Sequence, residues 1–183
     1  MASEDCPGAA AHAATITDQF TRQAQQFAQA RALHGAAALE LLVNAADPCA
    51  EDVTLDVACG PGSIVAAFAA RVRRAEGLDA TAAMLEEAKR HAESKGLGNV
   101  AWHRGSVEAL PFASGSFDIV SCRFALHHFE RPLRAFGEMV RVCRPGGRIV
   151  LCDAYASDDP AKAAAFNAME RYRDPSTVEL RTR

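Results

Sequence analysis

Two carboxylates, a glycine turn and a pair of adjacent histidines are the residues whose types and spacing could do chemistry. The turn reads Asp56-Val57-Ala58-Cys59-Gly60-Pro61-Gly62 and closes the apolar run 53–57. Gly60 and Gly62 remove side chains where a ligand must approach backbone, and the helix-forming stretch 63–74 follows. That is the pattern of a nucleotide-binding βα unit. A dinucleotide fingerprint would need a third small residue where Val65 stands, and a P-loop would need a Gly-Lys-Ser/Thr sequence that does not follow. No basic residue lies near the turn to favour a pyrophosphate, so the ligand expected is a nucleoside without phosphates. Asp79 ends the next short strand-like run. It follows Asp56 at close to the roughly 20-residue offset at which an acid meets ribose hydroxyls. A carboxylate can accept two hydroxyl protons at once, and charged hydrogen bonds contribute about 1.5–3 kcal/mol each. Taken by itself, Asp79 also suits the N-cap of a helix beginning at Ala80.

His127 and His128 follow the fourth apolar run. A neutral imidazole near pH 7 suits general-base work, and adjacent residues point to different faces, so at most one of the two reaches a substrate. No third ligand lies nearby in sequence, which makes them a poor metal pair, and no metal is expected. Packing or capping is the competing explanation for both. His103 reads as structural, and His12, His34 and His91 offer no constellation.

The elements that must position these residues alternate. Strands are predicted at 52–58, 74–79, 99–103, 117–122 and 147–153, with helices at 62–73, 80–94 and 132–143. Such alternation argues a parallel sheet with right-handed crossovers, whose ligands bind at the carboxyl ends of the strands where the order reverses. Gly60, Asp79, Ser106 and Arg123 all fall at such ends. Arg144-Pro145-Gly146-Gly147 ends a helix and turns into the fifth strand. Upstream, a helix capped by Thr17 or Asp18 is predicted from near Gln19, with Phe20, Ala24, Phe27 and Arg31 at helical spacing; a second runs over 33–46. Downstream, 160–172 looks helical and 173–183 polar. Three segments result: a disordered, Ala-rich 1–16, a helical cap over 17–47, and a ligand-binding domain over 48–183.

The chain has 183 residues, 49% hydrophobic and 23% charged, with a formal net charge of −3. This suffices for one domain with a real core, and the charge gives no argument for nucleic acid or an anionic membrane. No apolar run approaches the roughly 18 residues of a membrane helix, and the N-terminus has no basic signal-peptide region. None of the six cysteines forms a C-x-x-C pair, as expected of reduced thiols in a cytoplasmic protein.

Four ordered blocks carry a resemblance. They are 55–62 (LDVACGPG), 77–79 (GLD) with Met84, Leu85 and Ala88, 105–112 (GSVEALPF) with Ser116-Phe117-Asp118, and 141–147 (RVCRPGG). In these, the chain resembles the class I S-adenosylmethionine-dependent methyltransferases of the ubiquinone/menaquinone-biosynthesis type (methyltransferase type 11). The resemblance covers about residues 50–155. It implies an α/β, Rossmann-like, doubly wound, mostly parallel sheet of order 3-2-1-4-5 beneath an N-terminal helical cap. It implies S-adenosylmethionine as cofactor, S-adenosylhomocysteine as product, and methyl transfer to a small-molecule acceptor. Asp56, Ala58, Cys59, Gly60 and Gly62 would pass under the methionyl part and ribose, and Asp79 would hold the ribose hydroxyls. Ala80 and Met84 would lie beside the adenine, Ser106 and Val107 on its other side, and Arg123 and Phe124 near the methionyl group. His128 and His127 are the candidate bases.

The family often has an acid where this chain has Ser106, which predicts weaker reading of the adenine amino group. The family sheet also has seven strands ending in an antiparallel hairpin, and only five are visible here, which predicts a C-terminally truncated chain. An exposed fifth strand with Ile149, Val150 and Leu151 would favour association, and a homodimer is the arrangement it allows. Two other functions fit less of the sequence. One is a non-catalytic cofactor-binding module that needs a partner or a missing C-terminal part. The other is an NAD-dependent oxidoreductase, which Val65 and the lack of a Tyr-x-x-x-Lys set oppose.

Overall fold

The computed structural model describes residues 7–29 and 35–182. Five strands, β1 (Val53–Val57), β2 (Arg74–Asp79), β3 (Val100–Arg104), β4 (Phe117–Arg123) and β5 (Cys143–Cys152), form one parallel sheet of order β3-β2-β1-β4-β5. The expected order and mostly parallel pairing are therefore present. The order reverses beside β1, whose two neighbours β2 and β4 arrive from opposite directions along the sheet. Leu55, Val57, Leu78, Ile119 and Val120 are fully buried, as strands covered on both faces require.

Helices α3 (Ser63–Ala69), α4 (Ala82–Ser94) and α5 (Pro132–Val142) are the crossovers; α1 (Pro7–Gln29) and α2 (Ala36–Ala45) precede the sheet and α6 (Pro160–Arg173) follows it. Pro132 and Pro160 stand at the first turns of α5 and α6, where a missing N–H costs nothing. Asp159 caps α6, accepting the N–H groups of Ala161 and Lys162. No described helix is long and apolar enough to cross a membrane.

Two boundaries differ from expectation. The helix expected from Gln19 already begins at Pro7, so 7–16, expected without order, is helical. Alanine has the highest helix propensity, Pro7 sits at the first helical position, and α1 packs on α4. Residues 1–6 and 30–34, and with them Arg31 and His34, lie outside the described residues. β5 begins at Cys143 rather than 147, but Arg144-Pro145-Gly146-Gly147 does loop out. The register steps from Phe117↔Cys143 to Ile119↔Arg148, and Gly146 has φ 75°. A Cβ on Gly147 would lie 2.6 Å from Cys143 Sγ and 2.8 Å from the Asp118 carbonyl, so the loop returns to the sheet only through glycine.

Candidate functional site

The carboxyl ends of β1 to β4 open on one cavity of about 700 Å³, within the range of small-molecule sites. β1 delivers Asp56, buried to 3% exposure, and its register neighbour Ser121 on β4 donates a hydroxyl proton to Asp56 Oδ1 at 2.6 Å. Burial pushes the Asp56 carboxyl up from 3.8 to about 7. The Ser121 hydrogen bond and Arg123 oppose the rise, and the charge of Asp79 adds to it. Asp56 therefore changes charge near neutrality.

Beyond β1 the backbone turns left-handed at Ala58 (φ 56°), Gly60 (φ 51°) and Gly62 (φ 76°). For Ala58 that conformation costs about 1–2 kcal/mol. Phe124, at the end of β4, shares the strain with φ 52°. Both non-glycine residues line the cavity, where such strain is commonly stored. Asp79, at the end of β2, clasps the turn: its Oδ2 accepts the Gly60 N–H at 2.9 Å while Oδ1 accepts the Thr81 N–H at 2.8 Å. The helix N-cap is Thr81, so Asp79 links the turn to the start of α4 rather than capping it by position. Burial raises the Asp79 carboxyl as well, against those hydrogen bonds. On the next wall stand Met84, Val107 and Ser106, whose Oγ accepts the Glu108 N–H at 3.2 Å. Glu108 in turn pairs with Arg131 at 2.5 Å, joining the loop after β3 to the start of α5.

The other end of the cavity is apolar and aromatic. Ile16, Phe20 and Phe27 reach it from α1, and Phe124 and Phe129 from beyond β4. The Arg123 guanidinium lies 4.3 Å from the centre of the Phe124 ring. His128 belongs to this wall, at 6% exposure, with the Phe20 ring edge-on at 5.0 Å and its carbonyl accepting from His12 Nε2 at 2.8 Å. Burial first, then the neighbouring His127, lowers its pKa from 6.5 to about 4, so the ring is neutral at pH 7.

A model of the methyltransferase-domain family matches residues 55–151, which takes in the glycine turn, the Asp79 clasp and the β4 end of the cavity. The chain belongs to that methyltransferase family. The methyltransferase YcgJ of Bacillus subtilis is 38% identical over 159 residues, 87% of this chain and 63% of the relative. The crystal structure of YcgJ superposes with a TM-score of 0.76, covering 80% of this chain and 62% of that one. The ubiquinone/menaquinone biosynthesis C-methyltransferase UbiE of Roseobacter denitrificans is 34% identical over 131 residues, 70% of this chain and 52% of the relative. This chain thus spans between half and two thirds of the length of these relatives.

Within this methyltransferase domain, twelve of the predicted site residues line the one cavity: Asp56, Ala58, Cys59, Gly60, Asp79, Ala80, Met84, Ser106, Val107, Arg123, Phe124 and His128. Two do not. Gly62 faces the interior, where a Cβ would lie 2.5 Å from Trp102 Cη2 and 2.9 Å from Ala88 Cβ; its missing side chain lets the turn close on β3 and α4. His127 is absent from the lining and is paired instead with Asp153, just past β5, through its ring Nδ1 at 2.8 Å and its backbone N–H at 3.1 Å. Sequence reasoning did not reach Ala13, Ile16, Glu108, Phe129 or Arg131, which also line the cavity. Ala13 and Ile16 extend the Phe20–Phe27 stripe at helical spacing, a signal that the Ala-rich composition beside Pro7 and Gly8 conceals.

Proposed function

We propose that this domain binds S-adenosylmethionine along the Asp56–Asp79 end of the cavity and transfers its methyl group to a small, largely apolar acceptor at the phenylalanine end. The observation that carries the reading is the continuity of the cavity: the glycine turn, the Asp79 clasp and the aromatic wall share one space. The residues fit the cofactor by their chemistry. Asp79 accepts from the backbone N–H groups of Gly60 and Thr81 and from the Thr81 side chain, and a carboxylate, with about four acceptor positions, still has capacity for a ribose hydroxyl. Met84 and Val107 offer apolar surface to a purine, and Ser106 Oγ stands beside them. Asp56, titrating near pH 7, is the carboxylate that a cation in the cavity would hold ionised.

The bound cofactor supplies an already activated methyl group, so the hard chemistry is its own. The chain lines up the acceptor and excludes water. Ile16, Phe20 and Phe27 close the apolar end, and Phe124 holds its wall through the strained turn that ends β4. His128, neutral and weakly basic, accepts a hydrogen bond from the acceptor rather than carrying off a full proton. Calorimetric titration with S-adenosylmethionine and S-adenosylhomocysteine, with NAD as control, tests the reading. Micromolar binding of the first two and none of NAD is expected; NAD binding alone would overturn it in favour of an oxidoreductase.

A further inference from the structure

The ring of His128 meets its neighbours in a way that decides which nitrogen carries the proton. Nδ1 lies 3.1 Å from the Ser176 carbonyl oxygen and 3.0 Å from Ser176 Oγ. A carbonyl oxygen only accepts, so Nδ1 must donate. The Ser176 hydroxyl cannot donate to it, because its proton goes to Asp174 Oδ1 at 2.5 Å. The same Asp174 oxygen takes the Ser176 backbone N–H at 2.9 Å, which holds the serine in this orientation. Two acceptors therefore face one nitrogen. On the opposite edge of the ring, Nε2 has no hydrogen-bond partner among the described residues, and no unpartnered polar side-chain atom among them is sealed from solvent. His128 lines the cavity, so that open edge borders the space for the acceptor.

We infer that Asp174 and Ser176 are positioning residues that hold His128 in the Nδ1–H tautomer and thereby present the bare Nε2 lone pair to the methyl acceptor. The inference rests on the proposed methyl transfer and adds a substrate class to it. An acceptor that engages Nε2 carries an O–H or N–H group on an otherwise apolar body. The residues that do this lie in 174–180, outside the 55–151 family match. The segment is firmly seated. The N–H groups of Val178 and Glu179 both donate to the His127 carbonyl at 2.8 and 3.2 Å, and the Asn167 side chain pairs with both backbone groups of Leu180 at 3.0 and 2.7 Å. Ser176 is fully buried and Asp174 nearly so.

Other titratable and charged groups lie around His128. The His127 ring is 4.1 Å away and is itself paired with Asp153; His12 donates to the His128 carbonyl; Glu130 and Arg131 stand on the cavity wall. Burial and His127 outweigh the acids and keep the imidazole neutral, so one nitrogen of the ring is always bare at pH 7.

The test is the long-range proton–nitrogen correlation spectrum of the 15N-labelled intact chain at pH 7. A neutral His128 protonated at Nδ1 is expected; an Nε2–H form or an imidazolium overturns the inference. Asp174→Ala releases the Ser176 hydroxyl to donate to Nδ1 and should shift the tautomer ratio about tenfold towards Nε2–H, the worth of one hydrogen bond. Asp174→Asn keeps an accepting oxygen and should retain the wild-type signature. A folded Asp174→Ala with the wild-type signature overturns the role of Asp174, and if that variant does not fold, an Nε2–H signature in the wild type or in Asp174→Asn overturns it. Titration of the same wild-type sample with S-adenosylmethionine separates the two readings. Absent binding overturns methyl transfer and with it the role towards an acceptor, whereas a wrong tautomer with intact binding overturns the positioning alone.

Discussion

The two ends of the cavity are assembled over very different distances along the chain. At the cofactor end the contacts of the glycine turn are short-range, with Gly60 and Asp79 19 positions apart and Asp79 and Thr81 2 apart, while Ser121 reaches in from afar, to Asp56 across 65. At the acceptor end His12 meets His128 across 116 positions, and Ser176 meets His128 across 48. The turn and its clasp lie within one βαβ unit, β1-α3-β2. The second exists only once α1, the end of β4 and the segment after α6 have been brought together. Burial also acts on opposite charges at the two ends. It raises an acid, Asp56, to about 7 and lowers a base, His128, to about 4. At each end burial thus favours the neutral form of a group that solvent would leave more fully charged.

The largest test of this contrast is the pH dependence of stability. Asp56 is raised in the folded state, so its contribution is full below its unfolded pKa near 3.8 and is lost as pH rises through about 7. His128 is depressed, so its contribution is full above 6.5 and is lost as pH falls towards 4. At 1.36 kcal/mol per unit these amount to about 4 and 3 kcal/mol with opposite slopes, and between pH 4 and 6.5 they largely cancel. Urea unfolding across that range should expose each in turn. Asp56→Asn should make stability climb towards neutrality, and His128→Gln should make it fall. Identical slopes in the wild type and both variants would show that neither group is perturbed.

Next in size is the clasp. Asp79→Ala should weaken S-adenosylmethionine binding by about 2–4 kcal/mol through loss of charged hydrogen bonds to the ligand, read by calorimetry. Unchanged affinity would remove Asp79 from the site. A smaller effect, confined to packing, is expected at Gly62. Gly62→Ala drives a Cβ into Trp102 at a φ of 76° and should cost about 1–3 kcal/mol of stability by denaturant unfolding, whether or not ligand is present. A variant as stable as the wild type would show that Trp102 yields. The smallest effect belongs to the acceptor end. His128→Ala should slow methyl transfer about tenfold, the value of a single hydrogen bond, with cofactor affinity unchanged. A loss of a thousandfold or more would instead mark His128 as a full general base.

The sequence by itself determined the cofactor end and the layered alternation. Val53–Val57 and the left-handed glycines are neighbours in the chain and Asp79 follows within one βαβ unit, and their conformations follow from side-chain size and turn geometry that a local reading captures. The strand order followed from the resemblance of four ordered blocks, and the sheet has that order. Tertiary structure decided the rest. His127 and His128 are indistinguishable as neighbours in sequence, yet one is drawn away to Asp153 and the other is turned into the cavity. The tail after Arg173 reads as polar, but Asp174, Ser176 and Thr177 are buried because their polar groups find partners within the segment and on η1 (Leu126–His128). The helix over 7–16 belongs to α1, which packs on α4, and its Ala13 and Ile16 find the cavity wall. Local conformation is set by each residue and its neighbours, whereas burial, tautomer and pKa are set by groups that the chain brings together only on folding.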